Sequence, residues 1–238
     1  MKGKVLRTFA LTSFALVIVL GAVCKTQAQD AKTKYPSMAP LRQYLMADRN
    51  AEIALARSAA PASISRDAEV LILGPHGYET AVKGKNGFTC IVERGWTAGI
   101  DDPDFWNPKL RGPLCLNPPA VRSYLPITIK KTDLILAGKT KAEMVASIEA
   151  AFNKKELPAL EPGAMCYMLS KDGYLADAGG HWHPHIMFFV SPTDDQTWGA
   201  NLPGSPVLAA DDAPDRLKIV MIPVAKWSDG TLDSTPAH

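Results

Sequence analysis

Hydrophobic and polar residues alternate along this chain with two different periods. From Leu41 to Ser58 they fall into helical rows (Leu41/Leu45, then Met46/Asn50/Ile53/Ala54/Arg57) in a stretch rich in Ala, Leu, Arg, Met and Glu, which are good helix formers. Ala60-Pro61 stops this helix. The period then shortens. Glu69-Val70-Leu71-Ile72-Leu73 reads as a strand, Gly74-Pro75-His76-Gly77 as a turn, and Tyr78 to Lys83 alternates again. Asn86-Gly87 precedes the run Phe88 to Arg94. That dipeptide between strand-like runs signals a hairpin, so the pattern predicts a three-stranded antiparallel meander over 69–94.

Residues 95–120 carry Trp96, Trp106 and five prolines with little apolar period, and read as a long loop of the kind often tied to function. Tyr124 to Ala137 is expected to be helical, with Gly138 at the C′ position. Thr140-Lys141-Ala142-Glu143 is a capping box. It opens an amphipathic helix through Met144, Val145, Ile148, Ala151 and Phe152. Strand patterns return at 164–169, 185–190, 206–209 and 217–224. Helix, strands, loop, helices, strands is the order of an α+β fold. The expectation is a mainly antiparallel sheet, made of an N-terminal meander plus C-terminal strands, with about three packed helices and long Pro/Trp-rich loops.

The N-terminus has a different character. Lys2, Lys4 and Arg7 precede an apolar run from Phe9 to Val23, and Thr26-Gln27-Ala28 offers small residues for cleavage. This is the pattern of a secretory signal peptide over 1–28. It predicts an exported chain, with a flexible lead-in at 29–40 and a single domain at 41–238, located in the periplasm or secreted. No later stretch is long enough to span a bilayer. Removing 1–28 takes four basic residues with it and leaves 22 basic against 24 acidic, a net of −2. A near-neutral mixed surface argues against a nucleic-acid partner. Of the cysteines that remain, Cys90 and Cys115 are the favoured disulfide pair in an oxidising compartment, leaving Cys166 over.

Chemistry concentrates in Gly180-His181-Trp182-His183-Pro184-His185, which holds three of the five histidines at alternate positions. In a strand these share one face, with Trp182, Pro184 and Ile186 on the other. Neutral imidazole is a common ligand for zinc or copper. Same-face neighbours lie roughly 6.6 Å apart and the outer pair about 13 Å apart. One ion can therefore take two of His181, His183 and His185, with His76 or Asp177 as a further ligand; Cys166, Glu93 and the acids of 101–104 are other candidates. Pro184 lacks an N–H and places the site at a strand edge or entrance. The chain is thus expected to be a transition-metal-binding protein, with metalloenzyme activity as an extension. The alternative is a non-catalytic exported binding or interaction module. In that case the histidines are structural and the tryptophan-bearing loops contact a small molecule. Asp211-Asp212-Ala213-Pro214-Asp215 reads as a solvated acidic turn.

Overall fold

The computed structural model describes residues 34–97, 99–176, 183–192 and 195–234. The signal-peptide reading of 1–28, together with His181, Trp182 and Asp177, lies outside them.

The fold is α+β. Eight strands form one sheet: β1 (Glu69–Gly74), β2 (Gly77–Val82), β3 (Thr89–Glu93), β4 (Gly112–Leu116), β5 (Met165–Met168), β6 (His185–Val190), β7 (Leu208–Asp212) and β8 (Leu217–Pro223). Their spatial order is β2-β1-β3-β4-β5-β6-β8-β7. Every pairing is antiparallel except β1 with β3. Among the described residues five α-helices accompany them: α1 (Arg49–Arg57), α2 (Ala62–Ser65), α3 (Pro118–Ser123), α4 (Leu125–Leu136) and α5 (Lys141–Asn153).

The parallel pair corrects the expected meander. β1 and β2 form the hairpin, but β3 returns on the other side of β1 and runs parallel to it, with Glu69 opposite Thr89. Asn86-Gly87 turns the chain within this crossover instead of joining two neighbours. Gly87 has φ 79°, and the Asn86 side chain donates to the Ile64 carbonyl. The local dipeptide chemistry is as the sequence indicates; the partner it serves is set by tertiary contacts.

Continuous apolarity in β1 has a simple cause. Helices cover both faces of this part of the sheet, so neither face can be polar. Val70, Ile72, Cys90, Val92 and Cys115 pack under α1 with Ala56, Ala59 and Ala60. Leu71, Leu73, Ile91, Leu114 and Leu116 belong to the opposite core, with Tyr124, Ile135, Met144 and Ile148. Cys90 and Cys115 are directly opposed on β3 and β4 and form the disulfide; Cys166 is a buried free thiol.

The 95–120 segment is more ordered than its composition indicates. It contains the whole of β4, whose five residues are all buried, and the start of α3. Trp96 and Phe105 are fully buried, and Trp96 Nε1 donates to Thr132 Oγ1 at 3.0 Å. The chain from Lys34 to Pro40 also packs: Tyr35, Met38 and Ala39 lie against the core, and Ala39 N donates to Tyr44 Oη. Further on, α4 ends with Gly138 at φ 77°, and α5 begins with the reciprocal Thr140–Glu143 capping box. Among the described residues, no helix is long and apolar enough to cross a membrane.

Candidate functional site

Three places combine polar chemistry with an unusual environment: the entrance to β6, a buried carboxyl cluster beneath α4, and a groove beside the Trp106 loop.

β6 alternates as its sequence requires. Met187 and Phe189 are buried, while Ile186, Phe188 and Val190 are less so. His185 shares the face of Met187 and Phe189, which is the face turned to the core. Its Nδ1 lies 2.8 Å from the His183 carbonyl oxygen, and burial pushes its pKa down. His183 precedes the strand. Its Nδ1 lies 2.6 Å from Asp233 Oδ2, with side-chain exposures of 32% and 9%. Asp233 is delivered by a C-terminal hairpin held by Asp233 N to Ala225 O, Trp227 N to Thr231 O, and Val224 N to Pro184 O. In these contacts His183 and His185, the two described histidines of the 181–185 run, take different partners.

His76 does not join them. It is exposed in the turn between β1 and β2. β6 lies four strand positions from β1 and five from β2 in the sheet, roughly 19–24 Å at the usual spacing. Cys166 is buried in β5, and Glu93 is buried within its own cluster. Among the described residues, no group of three or more His, Cys, Asp or Glu side chains gathers where it could hold a metal ion. Asp233 was not a candidate in the sequence. It sits 50 residues from His183, and no local spacing signals its approach.

The second place overturns the reading of 211–215 as a solvated turn. Asp212 and Asp215 are 5% and 3% exposed and turn inward onto Lys131 of α4, itself 2% exposed. Lys131 Nζ pairs with Asp215 Oδ2 and lies 3.7 Å from Asp212 Oδ2. Burial works against the ammonium charge, but the two carboxylates outweigh it and hold the Lys131 pKa above its ordinary value. Glu93, also buried, accepts from Tyr124 Oη at 3.2 Å. Burial pushes Glu93 up to about 7, against the pull of Lys131 and the hydroxyls of Tyr124 and Thr97. Asp215 rises to about 6, through burial first and the neighbouring Asp212 as well, while Lys131 opposes the rise. The cluster is largely buried and anchors the β7–β8 hairpin to α4.

This predicts a pH dependence with a definite sign. A buried acid with a raised pKa holds its proton in the folded state after the unfolded chain has lost it, so stability falls as pH rises through that window. For Glu93 the window runs from the ordinary value of 4.5 to about 7. Glu93→Gln removes the titration. Its unfolding free energy relative to the parent is expected to rise between pH 5 and pH 7, with a slope of up to about 1.4 kcal/mol per pH unit. Urea titrations of both proteins at pH 5, 6, 7 and 8 check this, and a difference that stays flat would count against it.

The third place is a groove of about 1030 Å³ between the Lys34–Met38 segment, the loop at 100–106 and the start of α5. Its walls are mostly apolar: Tyr35, Met38, Ile100, Trp106, Ile135 and Val145. Its rim is charged. Lys139 pairs with Glu143 at 3.1 Å. Lys141 donates to the Ile100 carbonyl at 2.8 Å and lies 4.2 Å over the Phe105 ring. Asp101, Asp102 and Glu149 complete the rim, Asp101 and Glu149 being exposed. Among the described residues Trp106 is the one tryptophan lining this groove; Trp96 and Trp227 are buried in the body of the fold.

Comparison with known proteins gives no match: no family model, no curated protein and no solved structure is significantly similar to this chain.

Proposed function

We propose that this is an exported, non-catalytic binding protein that takes a small, apolar-bodied organic cation in the groove beside Trp106. The observation that carries this reading is the groove itself. Its volume of about 1030 Å³ is at the upper end of small-molecule sites, which are typically apolar with a few oriented polar groups. Charge sets the ligand class. Lys139 is paired with Glu143, and Lys141, on the Ile100 carbonyl, has Asp101 and Asp102 as near charges; Asp101, Asp102 and Glu149 together outnumber that remaining cation at the groove edge. A positive head group is therefore favoured there, with an apolar body against Tyr35 and Trp106; aromatic faces add a cation–π attraction. Export is supported by the signal pattern at 1–28 and by the disulfide, which persists in oxidising compartments.

A titration with decyltrimethylammonium, read by tryptophan fluorescence, tests the reading. Saturable binding is expected below the micelle concentration. Ala146→Trp places an indole from the exposed face of α5 into the groove and is expected to weaken binding at least tenfold with little change in stability. Binding that is absent, or equal in the two proteins, would refute the assignment.

A second reading rests on the His183–Asp233 contact. A carboxylate on Nδ1 fixes the imidazole tautomer and leaves Nε2 as the metal-facing nitrogen, the arrangement around many metal-ligating histidines. Zinc or copper bound through His183 would be the ligand, with His181 or Asp177 as further donors. Stoichiometric metal in protein purified without a histidine tag would move the assignment to this reading.

A further inference from the structure

A second cavity, of about 580 Å³, lies between the end of α5, the segment 157–160 and the start of β8. Ile127, Phe152, Leu157, Leu160 and Leu217 give it apolar walls, and Lys155 and Arg216 stand in its lining as cations.

The backbone at those two residues is unusual. Among the described residues only three non-glycine positions have left-handed backbone, and Lys155 (φ 60°) and Arg216 (φ 55°) are two of them. Glycine is the ordinary occupant of such positions, because a Cβ is disfavoured there. This chain shows the comparison within itself. α4 and α5 end in the same motif. At α4, Gly138 N bonds to Ile135 O and Lys139 N to Leu134 O; at α5, Lys155 N bonds to Phe152 O and Glu156 N to Ala151 O. This is the Schellman arrangement. α4 fills the left-handed position with glycine, whereas α5 fills it with lysine. Arg216 occupies the equivalent position at the end of the Ala213–Arg216 turn, with its N–H on the Ala213 carbonyl. A side chain held in a disfavoured backbone conformation is a pointer to function, and both of these line the same cavity.

Arg216 is also held in place. Its Nη2 donates to Asn153 Oδ1 at 2.6 Å, and its guanidinium lies 5.1 Å over the Phe152 ring. Asp215 also lines the cavity; its Oδ2 pairs with Lys131, while its Oδ1 is buried without a hydrogen-bond partner, and Lys155 and Arg216 together outnumber this one carboxylate.

The geometry points to an organic-anion site: a carboxylate with an apolar tail, its head group between Lys155 and Arg216 and its tail against Phe152, Leu157 and Leu217. Neither the Trp106 groove nor the histidines contribute to it.

Isothermal titration of the whole chain with decanoate tests the proposal. One saturable site per chain is expected, and decyltrimethylammonium should not compete for it. The Lys155→Gly/Arg216→Gly double variant suits the backbone at both positions. It is expected to melt at or above the parent temperature while binding decanoate at least tenfold more weakly. Lys155→Gln/Arg216→Gln, which keeps the stems and removes the charges, gives the same loss and covers the case in which the glycine pair misfolds. Ala146→Trp should bind decanoate like the parent, which separates this site from the groove. Absence of saturable binding, undiminished binding in both double variants, or loss in Ala146→Trp would each overturn the proposal.

Discussion

Glu52→Ala is expected to lower the unfolding free energy by about 3–5 kcal/mol, the largest effect of any single substitution considered for this chain. Glu52 and Arg94 are 1% and 0% exposed, and Glu52 Oε1 accepts from Arg94 Nη2 at 2.8 Å and from Leu73 N at 3.2 Å. The rest of the guanidinium is used as well: Nε donates to Tyr44 O and Nη1 to Val92 O. The pair therefore ties α1, β1, β3 and the segment around Tyr44 together inside the protein. Removing the carboxylate leaves a buried cation without its counter-charge, which costs far more than the net value of the pair. The pair replaced as a unit, Glu52→Leu with Arg94→Met, is expected to recover most of the loss. Urea denaturation of the parent, Glu52→Leu, Arg94→Met and the double variant measures the coupling. A Glu52→Ala loss below about 1 kcal/mol, the range of an exposed ion pair, would contradict the account.

The second large effect concerns the disulfide. Cys90 and Cys115 are 25 residues apart and both fully buried. Opening a loop of that length restores unfolded-chain entropy worth about 3 kcal/mol. For a domain of this size, that is a fall in melting temperature of roughly 6–12 °C. Cys90→Ala/Cys115→Ala checks it by calorimetry. Because the bridge lies under α1, dithiothreitol should act on the folded protein only at the pace of unfolding, and rapid reduction without unfolding would be the contrary result.

What the sequence reveals depends on the range of the interaction. Elements closed by neighbours in the chain are legible. Thr140 and Glu143 cap each other, Gly138 ends α4, and the apolar alternation of β6 follows its residues. The Cys90–Cys115 pairing also follows from spacing and compartment. Long-range partners are not legible. β3 pairs parallel with β1, in a part of the sheet buried on both faces, although Asn86-Gly87 has the chemistry of a hairpin turn. β4 is hidden in a proline-rich stretch because each of its residues is buried and none is left to alternate.

The candidate site divides along the same line. Alternation correctly places His185 on one face of β6, but that face is the core, so the position most attractive as a ligand is turned inward. His183 meets Asp233 across 50 residues, and Asp212 and Asp215 meet Lys131 of α4. An acidic run looks solvated until a buried cation is brought against it. Lys155 and Arg216 look like ordinary surface charges in the sequence; their left-handed backbone and shared cavity distinguish them in the structure.

Hydrogen–deuterium exchange of the intact protein, with and without decyltrimethylammonium, tests the central claim most directly because it locates the ligand as well as detecting it. The account predicts slower exchange at 100–106 and 138–149, with no change around His183, His185 and Asp233. Protection confined to the β6 entrance and the C-terminal hairpin, or no protection anywhere at saturating ligand, would contradict it.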